Sequence, residues 1–169
     1  KKEPVAVTKG IGIPEFDREG RVIASDHGDF LFLNIYFPNG ERSQERLDYK
    51  MKFYDAVLAH CQKLRKKGKK LIVAGDYNTA HREIDLARPK ENSDKSGFLP
   101  IERAWLDKWI SHGYVDIFRK FYPDAKDQYT WWHYRTFARE RNVGWRIDCH
   151  FVTDDLVDRV QDCKILSDV

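Results

Sequence analysis

The sequence predicts an α/β fold, and three observations predict it. Residues 43–67 place Leu47, Met51, Tyr54, Leu58 and Cys61 at i, i+4, i+7, i+11 and i+14, one face of a long helix. Gly68 then breaks the pattern, and Leu71-Ile72-Val73-Ala74 follows as a short apolar run with two β-branched residues, which reads as a buried strand. Residues 21–25, 30–37 and 146–152 also read as strands. A helix running directly into a strand is the unit from which α/β folds are built.

Composition narrows the class. A length of 169 residues suits one domain, and 41% hydrophobic with 14% aromatic residues suffices for a core. No apolar run approaches the ~20 residues of a membrane span. Lys1-Lys2-Glu3-Pro4-Val5 lacks the apolar region of a signal peptide. The net charge of +3 permits a polyanionic partner without requiring one. Cys61, Cys149 and Cys163 are widely spaced and include no CxxC, which argues against a zinc site or a disulfide framework. A reducing, intracellular setting follows: cytoplasmic, or nuclear in a eukaryote. The chain opens without Met on what reads as the edge of a strand, so the expectation is part of a longer polypeptide.

Residues 3–9 alternate weakly, as a strand would. The strands at 21–25 and 30–37 form a hairpin around His27-Gly28-Asp29. The second ends in Tyr36-Phe37-Pro38-Asn39-Gly40, where Pro38 stops the ladder and Asn39-Gly40 turns. In the long helix Ser43 caps the start and Glu45 suits the first turn, while Arg65-Lys66-Lys67 suits the negative end of the dipole. Residues 85–98 form a long irregular segment, a place where function often resides. Residues 100–111 predict a second helix, with Ile101, Trp105 and Trp109 on one face and Gly113 as its stop. Residues 115–121 predict a short helix, 130–134 a strand, and 155–165 a turn followed by another strand.

Two regions carry chemistry. Asp76 and Asn78 follow Gly75 at the carboxyl end of the buried strand, where α/β sheets place their sites. If extended geometry persists they point the same way, as a carboxylate to take a proton from water and an amide to hold it. The same Gly-Asp and Asn also read as a simple turn. Between residues 126 and 148, Tyr129, Trp131, Trp132, Tyr134, Phe137 and Trp145 interleave with Lys126, His133, Arg135, Arg139, Arg141 and Arg146. Rings stack on bases or sugars and cations hold phosphates, although a core strand with a basic loop gives the same pattern.

Tyr36-Phe37-Pro38-Asn39, Gly75-Asp76-Tyr77-Asn78 and the run from Asn142 to Asp148 resemble three ordered motifs of the exonuclease III family of apurinic/apyrimidinic (AP) endonucleases. The run from Thr79 to Leu86 and Tyr129-Thr130-Trp131-Trp132 look like the family too. The resemblance implies a four-layer α/β sandwich of the DNase I-like kind. It implies hydrolysis of the phosphodiester 5′ to an abasic site in double-stranded DNA with Mg²⁺ or Mn²⁺, and 3′-5′ exonuclease or 3′-repair activity on blocked ends, by a monomer without membrane contact. On motif position, Asp76 would activate the attacking water. Asn78 would hold phosphate or water, and the pair would offer a second metal position. Tyr36 would donate to the phosphate beside Asn39, and Asp148 would orient the family's catalytic histidine. Trp131, Trp145 and Ile147 would wall the sugar pocket, and Asn142 would touch phosphate. The family's N-terminal metal ligands are missing from the chain, and Val169 after Ser167-Asp168 stands where a terminal histidine would be. His150 is not that histidine. The expected assignment is one partial domain over residues 1–169, without the N-terminal part and the extreme C-terminus. Two alternatives stand beside it: a related phosphodiesterase acting on lipid or inositol phosphates, and a catalytically incomplete nucleic-acid-binding fragment.

Overall fold

The computed structural model describes residues 3–166. Its centre is a six-stranded sheet in the order β1-β2-β3-β4-β8-β5, with β1 Ala6–Lys9, β2 Val22–Asp26, β3 Leu31–Ile35, β4 Leu71–Asp76, β5 Tyr114–Asp116 and β8 Asp148–Thr153. The β3–β4 pair is parallel because a helix, α2 (Gln44–Lys66), carries the chain back between them. The other pairs are antiparallel, including the expected hairpin of β2 and β3. The helices α1 (Pro14–Asp17), α3 (Pro100–Ser111) and α4 (Ile117–Phe121) complete the α/β layer arrangement. A separate ribbon pairs β6 (Trp131–Trp132) with β7 (Gly144–Trp145).

Side-chain alternation sorts the sheet into two faces. Leu31, Leu33, Ile35, Leu71, Val73, Cys149 and Phe151 are buried in the main core together with residues of α2 and α3. Aromatic rings knit this core: Phe37 stacks on Tyr77 at 4.3 Å, Tyr54 lies 4.2 Å from Trp105, and Trp109 stacks on Tyr114 at 3.9 Å. The opposite face carries Ile23, Asn34, Ala74 and His150 in one cross-strand row. Ile117, Val152 and Leu156, with Phe30 and Ile72 against them, close one corner of that second face.

The Ser43 cap is present: its hydroxyl accepts from the Arg46 amide at 3.2 Å. The buried face of α2 is turned slightly from the predicted one. Phe53, Tyr54, Val57, Leu58 and Cys61 are buried, and so is Lys50, whereas Leu47 and Met51 are half-buried. In α3 Trp105 and Trp109 are core as predicted, but Ile101 is 56% exposed and Glu102 takes the inward position. The helix predicted over 115–121 begins only at Ile117, because residues 114–116 join the sheet and Asp116 caps α4 by accepting from the Arg119 amide. The predicted strand at 130–134 reduces to Trp131 and Trp132. The turn predicted after 155 is a 3-10 segment, Asp154–Arg159, and no strand follows among the described residues. Ser167 and Asp168 lie outside the described residues.

Candidate active site

Asp76 ends β4, directly opposite Asp148 at the start of β8. The chain cannot continue extended here, because Asn78 turns left-handed with φ 49°. Asp76 and Asn78 therefore meet by a turn, not by strand alternation. The Asp76 Oδ1 accepts from the Asn78 amide at 2.7 Å, and Oδ2 accepts from the Asn78 Nδ2 at 3.2 Å. The turn reading and the site reading of this stretch thus describe the same geometry. Gly75 is required one residue earlier. Its φ is 138°, and a Cβ there would meet the Ile35 carbonyl oxygen at 2.0 Å.

Asn39 joins the same chain of bonds. Its Nδ2 donates to Asn78 Oδ1 at 3.1 Å, while Asn78 Nδ2 also donates to the Phe37 carbonyl at 2.8 Å. The end of β3 and the end of β4 are locked further by the Phe37 amide donating to the Asp76 carbonyl. Tyr36 projects beside them, 54% exposed. The Arg21 guanidinium lies over its ring at 4.9 Å and donates to its carbonyl at 3.0 Å. Tyr36, Arg21, Asp76 and Asp148 line one open cleft of about 380 Å³.

The electrostatics of this cleft favour a base. Burial pushes the Asp76 carboxyl up to about 6, the Asn78 amide opposes that shift, and the facing Asp148 carboxylate adds to it. An aspartate with that value is largely ionised at neutral pH yet binds protons more tightly than an ordinary one. The available ligands are hard oxygens, the carboxylates of Asp76 and Asp148 and the amide oxygen of Asn78, which suits Mg²⁺ or Mn²⁺. Among the described residues no group of three or more His, Cys, Asp or Glu side chains is placed to hold a metal. One or two carboxylates completed by water and phosphate is a normal way to bind Mg²⁺, so the donors present fit a partial site.

The aromatic ribbon lies next to this cleft. Trp131 and Trp145 are direct cross-strand partners, so their rings share one face of the ribbon. Trp131 is 43% exposed and lines a second cavity, about 460 Å³, that also reaches Asp148. Trp145 is half-buried against Ala80, Leu86, Phe98 and Ile147. Thr130 ties the ribbon to the sheet, its Oγ1 accepting from the amides of Ile147 and Asp148.

The structure also places Ile147, Asn142 and Arg146. Ile147 is 7% exposed and packs in the small core behind the ribbon, against Trp145. The Asn142 amide is engaged at both ends, accepting from Trp132 Nε1 and donating to the Asp127 carbonyl, and it stands outside the Asp76–Asn78–Asn39 chain of bonds. Arg146 is no phosphate contact. It is buried at 1% exposure and bridges Asp85 to Asp116, with Arg119 also on Asp85. Sequence reasoning missed Arg21, Thr130, Lys50 and Glu102. The signal for the last two is one charge of each sign set inside otherwise apolar helical stripes.

A family model described as the Endonuclease/Exonuclease/phosphatase family matches residues 1–169. An exodeoxyribonuclease of Bacillus subtilis (strain 168) is 43% identical over 169 residues, all of this chain and 67% of that protein. The solved structure of an AP endonuclease from Archaeoglobus fulgidus superposes with a TM-score of 0.87 at 29% identity, covering 96% of this chain and 63% of that one. A 3′ phosphatase from Neisseria, solved bound to product DNA hairpin, superposes with a TM-score of 0.87 at 27% identity over 94% of this chain and 62% of that one. The chain therefore spans roughly two thirds or less of the proteins it matches. Among the described residues no helix is long and apolar enough to cross a membrane.

Proposed function

This chain belongs to the endonuclease/exonuclease/phosphatase family, and on that footing we propose that it contributes the water-activating half of a DNA-repair nuclease site. The substrate proposed is double-stranded DNA, cut at the phosphodiester 5′ to an abasic site or trimmed at a blocked 3′ end. The observation that carries this reading is the raised, cleft-facing Asp76, bonded to Asn78 and facing Asp148. The AP endonuclease, exodeoxyribonuclease and 3′ phosphatase among its relatives support the choice of DNA.

In the reaction the Asp76 carboxylate takes a proton from water as the water oxygen bonds to phosphorus. The bond from phosphorus to the 3′ oxygen breaks; the leaving oxygen takes a proton from solvent to become a 3′ hydroxyl, the 5′ phosphate remains on the abasic sugar, and Asp76 then returns its proton to solvent. Tyr36, exposed in the same cleft, donates its hydroxyl to a non-bridging phosphate oxygen. Asn39 and Asn78 hold the phosphate and the water in register with Asp76. Asp148 orients a histidine supplied from elsewhere in the protein. Mg²⁺ or Mn²⁺, bound near Asp76 and Asn78 and by ligands outside this chain, would neutralise phosphate charge. Trp131 and Trp145 receive the base-free sugar, which flips out at little unstacking cost. Asn142, exposed at the ribbon, contacts a phosphate.

Residues 1–169 are, on this reading, part of one domain of a longer, monomeric, intracellular protein. The shares of the relatives that the chain spans support the greater length. The test is Asp76→Asn in the full-length protein. Loss of a general base costs about 10²–10⁴ in rate. Cleavage of an abasic duplex should fall by that factor, with DNA affinity and melting temperature retained. Cleavage within a few-fold of wild type would remove Asp76 from the mechanism.

A further inference from the structure

Two opposite charges are fully buried away from the cleft. Lys50 on α2 and Glu102 on α3 pair at 2.6 Å, each side chain with no solvent exposure. A pair that merely joined two helices would gain little over apolar residues of similar volume. Here the remaining donors and acceptors go elsewhere. Lys50 Nζ donates to the Asn78 carbonyl at 2.7 Å and to Thr79 Oγ1 at 2.9 Å. Tyr54, one turn on, donates to the Tyr77 carbonyl and bonds Thr79 Oγ1. The left-handed residue of the proposed site is thus held from behind by a charged hydrogen bond, which is the strong kind.

Glu102 extends the hold to the ribbon. Its Oε2 accepts from the amides of Gly97 and Leu99, and its Oε1 accepts from Ser96 as well as Lys50. The Gly97 carbonyl in turn accepts from the Ala80 amide. A Cβ on Gly97 would touch both the Trp145 ring, at 3.3 Å, and the Asn78 carbonyl, at 3.4 Å. One buried pair therefore fixes the 77–79 turn and the 96–99 turn, between the two halves of the site.

We infer that Lys50 and Glu102 are positioning residues, which set the direction of the Asn78 amide and the seat of Trp145 through the backbone of these two turns. The inference rests on the site reading above, and a double-mutant comparison separates the two. Rates are measured in the full-length protein with Mg²⁺ on a duplex carrying one reduced abasic site. Lys50→Met should lower kcat by roughly 10–100-fold, as a small misplacement of reacting groups does, with KM within about threefold. In an Asn78→Ala background the same substitution should cost less than about threefold more, because residues acting as one unit are not additive. An equal loss in both backgrounds, or no loss in either, overturns the positioning role. A wild-type rate for Asn78→Ala alone overturns the site reading itself, and the inference with it. If Lys50→Met does not fold, Lys50→Met/Glu102→Gln removes both charges and carries the same comparison. Failure of that neutral pair to melt cooperatively also overturns the inference, since the pair is then only structural.

Discussion

Asp76 owes its basicity to its position. Burial at the end of β4 raises its pKa to about 6 against the opposing Asn78 amide, and Asp148 across the ladder contributes. The ordinary aspartate value is 3.8. Between 3.8 and about 6 the folded protein binds more protons than the unfolded chain, so this group's contribution to stability falls as pH rises through that window. The same ionisation creates the base, so activity rises where stability is given up. Asp148→Asn removes a negative neighbour and should move the Asp76 midpoint down, toward 3.8. A carboxyl NMR titration of the cation-free full-length protein checks this, and an unmoved midpoint would show that Asp148 does not act on Asp76. The pairing of Asp76 with Asn78 is legible in the sequence, although the reason is a left-handed turn and not strand alternation. Lys50 and Glu102 leave only a trace in the sequence, one charge inside each apolar helical stripe, and neither helix alone explains it. The partner that explains the burial lies 52 residues away.

At the scale of elements, long periodic segments are legible and short strands are not. The helix α2 and the strand β4 carry enough repeats to declare themselves. The strands β5, β6 and β7 have two or three residues each, and their pairing is set by distant partners such as β8. The ribbon shows what that leaves open. The sequence marks Trp131 and Trp145 as either core or pocket, and only the ladder register puts both rings on one face. Trp145 is half-buried against four residues, so it has both duties. A fully buried Trp→Ala change costs about 3–5 kcal/mol. Trp145→Ala in the full-length protein should cost less than that in a denaturant titration. Its cleavage ratio on abasic against undamaged duplex should fall. A collapsed stability with an unchanged ratio would return Trp145 to the core.

The whole molecule is asymmetric about its sheet. One face meets α2 and α3 and holds the largest core, rich in stacked rings. Among the described residues the other face is covered at the corner where Ile117, Val152 and Leu156 meet. Across the rest of it run Ile23, Asn34, Ala74 and His150, with Ile23 42% exposed, and the row is followed by Asp76 opposite Asp148 at the strand ends. The edge strand β1 is exposed along its whole length, with Val7 52% exposed, and its outer ladder has no partner strand among the described residues. The proposed site opens on this uncovered side, where a base and a phosphate would still need water excluded. A sheet face and an edge left open together favour association with another chain. The expectation is therefore that residues 1–169 expressed alone self-associate at micromolar concentration or melt without cooperativity, while the longer protein proposed above is a monomer. Sedimentation velocity on both, with thermal melts in parallel, decides the point. A monodisperse monomer of residues 1–169 with a sharp melt would mean that this face needs no cover, and that the proposed partial-domain assignment is wrong.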